Sequence, residues 1–262
     1  MKKIIKLLLL LAFFAQTSSV WGWGMTGHRI VTEIAERHLT NKAKKNIAKL
    51  IGKQHLAYWA NWPDFVKSDH AFDETSPFHY INTEGNLTKE QFATALQQSP
   101  DNNIYKQLIR LSADLKAKDK GLTEMQQNLY FLIHLMGDAH QPMHVGRPAD
   151  LGGNKIEVMW FGKPDNIHRV WDSNLVDYEK YSYTEYANVL DIHTRQENQR
   201  LADGDFASWL YDTHIVANKI YKDVEQNSNL SYRYIYDNKY VVEDALLKGG
   251  LRLAKVLNEI FG

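Results

Sequence analysis

The chain has 262 residues, of which 44% are apolar and 24% charged, and its 31 basic residues balance 31 acidic ones. This composition predicts one large folded domain, and it excludes a disordered chain and a strongly basic nucleic-acid-binding protein. The chain contains no cysteine. Disulfides and zinc–thiolate sites are therefore excluded, and a bound metal would need histidine, aspartate and backbone ligands.

Residues 1–22 have the pattern of a secretory signal peptide. Lys2 and Lys3 precede an apolar block that runs from Ile4 to Phe14, and a short polar stretch ends near Gly22. The apolar block is too short for a membrane span, and no second hydrophobic segment follows it. We therefore expect residues 23–262, with 28 basic and 31 acidic residues, to form a single mature domain in the periplasm or the medium, not in a membrane.

Apolar spacing predicts helices through most of the N-terminal half. The first helical pattern continues to His38, and Thr40 is expected to cap a second helix that ends near Ile51. Pro63 marks a turn or a helix start. We expect a loop at residues 73–76, a short extended piece at 79–82, and helices at residues 88–96, 103–118 and 122–140.

The C-terminal half is predicted to contain the one β element. Residues 146–153 form a loop, after which Ile156, Val158 and Trp160 alternate with other side chains as in a strand. The hairpin turn is expected near residues 162–165. Helices are predicted from residue 167 and at 184–196, 206–224 and 242–261. The fold class is therefore all-α, a single mainly helical domain with one small β-hairpin.

Residues 134–144 combine three histidines and an aspartate directly after an apolar helical run. Residues four apart lie on one face of a helix, so His134 and Asp138 can point into one cavity. Pro142 ends or kinks this helix, which allows His144 to serve a different ion. Since His168 and Asp172 repeat the four-residue spacing, the sequence predicts metal binding by histidine and aspartate.

The order of these residues resembles the S1/P1 nuclease family of zinc-dependent, single-strand-specific nucleases. The resemblance runs from Trp23 to Asp172 and includes residues 249–258. It implies a phospholipase C/nuclease-like helical fold and three Zn²⁺ ions per chain. One zinc would be held by Asp64, His79, His134 and Asp138, a second by Trp23, His28 and again Asp138, and the third by His144, His168 and Asp172.

In the family, an N-terminal tryptophan binds zinc through its α-amine and carbonyl oxygen. Trp23 matches this residue, so the resemblance places signal cleavage after Gly22. It also implies hydrolysis of single-stranded DNA and RNA to 5′-phosphate products, and cleavage of 3′-phosphates from nucleotides. Lys67 would lie beside the scissile phosphate, near the catalytic zinc ligands Asp64 and Asp138. Tyr80 would stack on a base, while Asn82 and Asn154 would contact substrate. Asn82 replaces an aspartate of fungal members, which leaves base preference open.

Two other functions fit part of the pattern. A zinc-dependent phospholipase C shares the fold, an N-terminal tryptophan ligand and the spacing from His134 to His144, but uses glutamate where this chain has Asp172. A periplasmic zinc-binding protein without turnover would need the metal ligands but not Lys67 or Tyr80. No stable protein partner is implied by the sequence.

Overall fold

The computed structural model describes residues 23–262, and the predicted signal peptide in residues 1–22 lies outside the described residues. Polar residues cap several helices of the N-terminal half. The Thr40 hydroxyl accepts a hydrogen bond from the Ala43 N–H (3.1 Å), as predicted, and Thr88 and Asn103 cap two later helices. The helices of this half are α1 Met25–Arg37, α2 Asn41–Ile51, α3 Leu56–Trp59, α4 Trp62–Phe65, α5 Lys89–Gln98, α6 Ile104–Ala117 and α7 Leu122–Asp138, with 3₁₀ helices at Val66–Ser68 and His70–His79.

The C-terminal half begins with two 3₁₀ helices, Pro142–Val145 and Pro148–Asp150, in the connection after α7. Strands β1 Glu157–Trp160 and β2 Lys163–Asn166 follow. The chain then forms α8 Ile167–Arg169, a π-helical turn at Val170–Asn174 and α9 Leu175–Asp177 without a break. The remaining elements are α10 Tyr183–Leu190, α11 Arg195–Leu201, α12 Phe206–Asp223, β3 Asn229–Leu230 and α13 Tyr232–Phe261.

The predicted hairpin is present, but its turn is shorter than expected. β1 and β2 pair antiparallel, from Glu157 opposite Asn166 to Trp160 opposite Lys163. Phe161 and Gly162 alone connect them, both with positive φ (50° and 75°), as a tight two-residue turn requires. The prediction of a turn reaching residue 165 is therefore wrong, because residues 163–165 belong to β2. The sequence also missed β3, which pairs parallel to β1.

Two further local predictions are wrong. Residues 184–196 form two helices rather than one. The carboxylate of Asp191 binds Nε2 of His38 (2.8 Å), and Thr194 caps α11, so the chain leaves and re-enters the helix there. Residues 73–76 lie in a 3₁₀ helix and not in a loop, because Asp69 accepts from the Ala71 N–H and the Thr75 hydroxyl donates to a backbone carbonyl.

The long helix α13 begins ten residues earlier than predicted and packs along α1, α2 and α7. Gly250 allows this close approach, because a Cβ there would lie 2.6 Å from side-chain carbons of Ile34 on α1. α7 is also covered by α6 and α1. As a result, every residue of α7 from Asn128 to Asp138 is buried.

The mainly helical architecture with one small sheet confirms the predicted fold class. Within residues 23–262, no helix is both long enough and apolar enough to cross a lipid bilayer.

Candidate metal centre

The buried end of α7 brings two polar groups to the centre of the molecule. His134 and Asp138 are fully buried, and Nε2 of His134 lies 3.3 Å from Oδ2 of Asp138. The four-residue spacing therefore does place them on one face, as predicted. α7 ends at Asp138, and His144 follows on the 3₁₀ helix Pro142–Val145, outside the helical register of α7.

Three other residues converge on this pair, and the Trp23 ring lies close to Gly137 beside them. We call the six residues together the first cluster. Asp138 lies at its centre, with its Oδ1 3.3 Å from Nε2 of His28 and its Oδ2 2.9 Å from Nδ1 of His79. Asp64 lies further out, with its Oδ1 3.8 Å from Nε2 of His134. The members are Trp23, His28, Asp64, His79, His134 and Asp138.

The members of the first cluster come from separate elements that must approach closely. Trp23 lies just before α1, His28 lies in α1, Asp64 lies in α4, and His79 ends a 3₁₀ helix. Gly137 makes room for α1, because a Cβ at this position would lie 2.7 Å from Nδ1 of His28. The rings of His28 and His134 consequently stack with their centroids 3.7 Å apart.

His144, His168 and Asp172 form a second group beside the first, and we call it the second cluster. Nε2 of His168 lies 3.2 Å from Oδ2 of Asp172, and Nε2 of His144 lies 3.8 Å from Oδ1 of the same carboxylate. The two clusters adjoin, since Nδ1 of His144 is 3.8 Å from Oδ1 of Asp138.

Backbone carbonyls orient three of the histidines. Nδ1 of His134 donates to the Ala60 carbonyl (2.7 Å), and Nδ1 of His168 donates to the Gly152 carbonyl (2.6 Å). Nδ1 of His144 donates to the carbonyl of His79 (2.5 Å). In each case the bond fixes the tautomer and directs Nε2 towards the cluster, as is usual for metal-binding histidines.

Burial sets the charge of the first cluster. It lowers the pKa of His28 and of His79 to about 4, so both rings are neutral at pH 7. Burial alone would raise the pKa of Asp138, but the surrounding His134, His144 and His28 hold it well below the usual value. Metal binding requires neutral imidazoles and ionised carboxylates, and His28, His79 and Asp138 have these protonation states. The pKa of His134 is instead raised, because Asp138 and Asp64 outweigh its burial.

Several atoms of the first cluster are buried without a hydrogen-bond partner. They are both ring nitrogens of His28, Nε2 of His79, Oδ1 of Asp138 and Nε1 of Trp23. Buried polar atoms without partners are costly. Histidine nitrogens and carboxylate oxygens within 4.8 Å of one another are found in both clusters. This donor set fits zinc, which takes nitrogen and oxygen ligands in compact sites.

The predicted substrate residues lie around the clusters, with one exception. Nζ of Lys67 is 2.6 Å from Oδ1 of Asp64. Half-buried Tyr80 and Asn82 line an open pocket of about 800 Å³, and Gly152 brings the backbone close to the Asn82 amide and the His168 ring. Asn154 instead donates to the Leu151 carbonyl (2.9 Å), and no contact joins it to either cluster within the described chain.

The sequence did not single out Gln141, which is fully buried between the two clusters. Its amide nitrogen donates to Oδ1 of Asp172, and its amide oxygen accepts from the Met143 N–H. Its position between Asp138 and His144 in the chain was the available signal. The neighbouring His140 is also buried but faces away, with Nε2 3.1 Å from Nη1 of Arg252.

Several known proteins are similar to this chain. The profile of the family described as S1/P1 Nuclease matches residues 23–262. Endonuclease 2 of Arabidopsis thaliana is 29% identical, over 93% of this chain and 92% of its own. Nuclease S1 of Aspergillus oryzae is 24% identical over 95% of both chains, and nuclease P1 of Penicillium citrinum is 26% identical over 92% and 98%. A solved alpha toxin from Clostridium absonum has a TM-score of 0.48 and 14% identity, and this chain covers 64% of its length.

Proposed function

The chain belongs to the S1/P1 nuclease family and is therefore a hydrolase of phosphodiester bonds in nucleic acids, and we propose that it cleaves single-stranded DNA and RNA with zinc. The observation that carries the proposal is the convergence of eight histidines and aspartates, from His28 to Asp172, into two adjoining buried clusters. Their order in the chain is the order of the family pattern.

We assign three zinc ions to the two clusters. Asp64, His79, His134 and Asp138 would hold one ion, and Trp23, His28 and Asp138 would hold another, so that Asp138 bridges them. His144, His168 and Asp172 would hold the third. The ring nitrogens of His28 and Oδ1 of Asp138 have no hydrogen-bond partner, which supports this assignment because a cation would satisfy them.

The assignment of Trp23 makes export part of maturation. An α-amine exists at this residue only after cleavage behind Gly22, whereas the peptide nitrogen of a precursor is a poor ligand. Trp23 is completely buried, and a Cβ at Gly27 of α1 would lie 2.8 Å from the Cβ of Trp23. We therefore place the active enzyme in the periplasm or the medium.

Bound zinc ions would supply a water of lowered pKa and positive charge for the phosphate oxygens. The protein's own groups would position the substrate. Lys67, held by its ion pair with Asp64, directs an ammonium group towards the phosphodiester. The carboxylates of Asp64 and Asp138 would help to hold these ions beside the phosphate. Cleavage of the bond to the 3′ oxygen gives the 5′-phosphate products that the family pattern implies.

A base-binding site explains the proposed preference for single strands. Tyr80 is half-buried at the wall of the pocket that also contains Asn82. A base of a single strand can stack on such a ring, whereas a duplex hides the faces of its bases. Oδ1 of Asn82 is buried without a hydrogen-bond partner, so this amide can accept a bond from a base edge.

The test is hydrolysis of single-stranded DNA, single-stranded RNA, duplex DNA and phosphatidylcholine, with and without chelator, together with metal analysis. We expect three zinc ions per mature chain, cleavage of both single strands, and loss of activity and stability in chelator. One zinc or none would contradict the assignment. Hydrolysis of phosphatidylcholine without nucleic acids would favour a phospholipase, and zinc binding without hydrolysis would favour a storage protein.

A further inference from the structure

Gln141 is a fully buried amide that connects the end of α7 to the second cluster. It precedes the 3₁₀ helix Pro142–Val145, and its Oε1 accepts a hydrogen bond from the N–H of Met143. Its Nε2 donates to Oδ1 of Asp172, 31 residues further along the chain. Both ends of the amide are therefore used.

The direction of this amide is fixed by its partners. The backbone N–H of Met143 can only donate, so the amide oxygen must face it. The NH₂ end then has to face Asp172, and only an oxygen with a free lone pair can lie opposite. Oδ1 of Asp172 is that acceptor, which leaves Oδ2 on the side of Nε2 of His168, 3.2 Å away.

We infer that Gln141 is a positioning residue, which holds one oxygen of Asp172 so that the other is presented to a metal ion together with His144 and His168. This inference rests on the proposed function, because it requires an ion in the second cluster. Hydrogen bonds from such outer partners typically strengthen metal binding by 10- to 100-fold. Gln141 would thus do for Asp172 what the Gly152 carbonyl does for His168.

A purely structural role predicts a different order of effects. If Gln141 only closed the corner after α7, Gln141→Glu would be the mildest substitution, because a glutamate still accepts from the Met143 N–H. If Gln141 positions Asp172, Gln141→Glu is damaging, because it places a second carboxylate against Oδ1 of Asp172. Gln141→Met has a similar size and removes both bonds, so it shows the loss of the amide without adding a negative charge beside Asp172.

His140→Gln is the matched control. His140 is the preceding residue and is equally buried, yet it bonds the Met136 carbonyl and Arg252 rather than a member of either cluster. The His140→Gln substitution changes the same segment after α7 without altering a contact of Asp172. The two substitutions therefore separate damage to the local fold from damage to the second cluster.

The experiment is equilibrium dialysis of zinc-loaded mature protein against graded chelator, with bound zinc counted and the melting temperature recorded. We expect one of three zinc ions to bind 10- to 100-fold more weakly in Gln141→Met, and at least as weakly in Gln141→Glu, while His140→Gln keeps all three. If Gln141→Glu does not fold, Gln141→Met decides alone.

Three outcomes overturn the inference. One is unchanged zinc affinity in Gln141→Met, and another is a Gln141→Glu variant milder than Gln141→Met. The third is equal zinc loss in His140→Gln. A wild-type chain that never binds three zinc ions would instead overturn the proposed function itself, and the inference with it.

Discussion

The two clusters are built in different ways. The first gathers its six residues from four separate stretches of chain around the single carboxylate of Asp138, and several of its buried polar atoms have no hydrogen-bond partner. The second takes three residues from two stretches, and none of its side-chain atoms is among the partnerless ones in the described chain. His168 is oriented by the hydrogen bond that it donates to the Gly152 carbonyl. Asp172 is oriented by the hydrogen bond that it accepts from Gln141.

This difference indicates which cluster is preformed by the protein and which one is completed only when a metal ion binds. In the second cluster the protein itself fixes the geometry, so an ion enters a preformed arrangement. In the first cluster, buried nitrogens and a buried carboxylate oxygen cost free energy until an ion binds them. We therefore expect zinc in the first cluster to contribute more to stability than zinc in the second.

Asp138→Asn should have the largest effect, because it weakens the binding of two zinc ions in the first cluster at once. We expect a fall in kcat of about 1000-fold or more, since metal ions supply several kcal/mol of transition-state stabilisation. Metal analysis should show zinc kept in the second cluster. His144→Ala is the comparison variant, and if it proved more damaging than Asp138→Asn, the bridging role of Asp138 would be wrong.

Extending the mature chain by one methionine before Trp23 should have the next largest effect. The α-amine is then moved away from His28, so the protein should bind one zinc fewer and lose activity by on the order of 100-fold. The control is the same sequence cleaved to begin at Trp23. Full activity and three zinc ions in the extended protein would show that Trp23 is only a packed aromatic residue.

Tyr80→Ala tests a residue outside both clusters. Stacking on one base is worth about 1–3 kcal/mol, so KM for every single-stranded homopolymer should rise by roughly 5- to 150-fold with little change in zinc content. Asn82→Asp should instead affect some homopolymers more than others, because a carboxylate only accepts hydrogen bonds. An unchanged KM in Tyr80→Ala would place base binding elsewhere.

Substitution of His214 should have the smallest effect. His214 is a buried histidine outside both clusters, and its substitution tests how much it makes the protein sensitive to acid. Burial, with a contribution from Arg147, lowers the pKa of His214 to about 4. Between pH 6.5 and 4 the unfolded chain binds this proton and the folded chain does not, so stability falls as the pH is lowered through that window. In His214→Gln the melting temperature should fall a few degrees less from pH 7 to pH 5. An identical pH dependence in both proteins would show that His214 does not contribute.

Local sequence signals were sufficient for much of the fold and for the ligand pairs. The cap at Thr40 and the four-residue spacing of His134 and Asp138 each depend on neighbouring residues alone, and both are present in the structure. The order of the nine proposed metal ligands came from the family resemblance. The structure brings the eight histidines and aspartates of this set close together, and their role as metal ligands stays a prediction.

Features that depend on distant partners could not be predicted. Residues 184–196 have a continuous helical pattern, and the break at Asp191 depends on His38, which is 153 residues away. β3 contains two residues and exists because β1 offers a free edge. The position of Gln141 between Asp138 and His144 was a weak local signal, and its partner Asp172 approaches only in the folded chain.

The packing of α13 on α1 determines when the centre can form. Residues near Asn258 contact residues near Thr40, including a hydrogen bond of 2.8 Å from the Thr40 N–H to Oδ1 of Asn258. α1 carries His28, so one of the earliest proposed ligands in the chain is supported by a helix whose contact residue Asn258 lies 218 residues after Thr40. Contacts of such long sequence separation form late and slowly. Zinc acquisition by the first cluster should therefore follow the emergence of α13 from the ribosome, rather than accompany elongation of the N-terminal half.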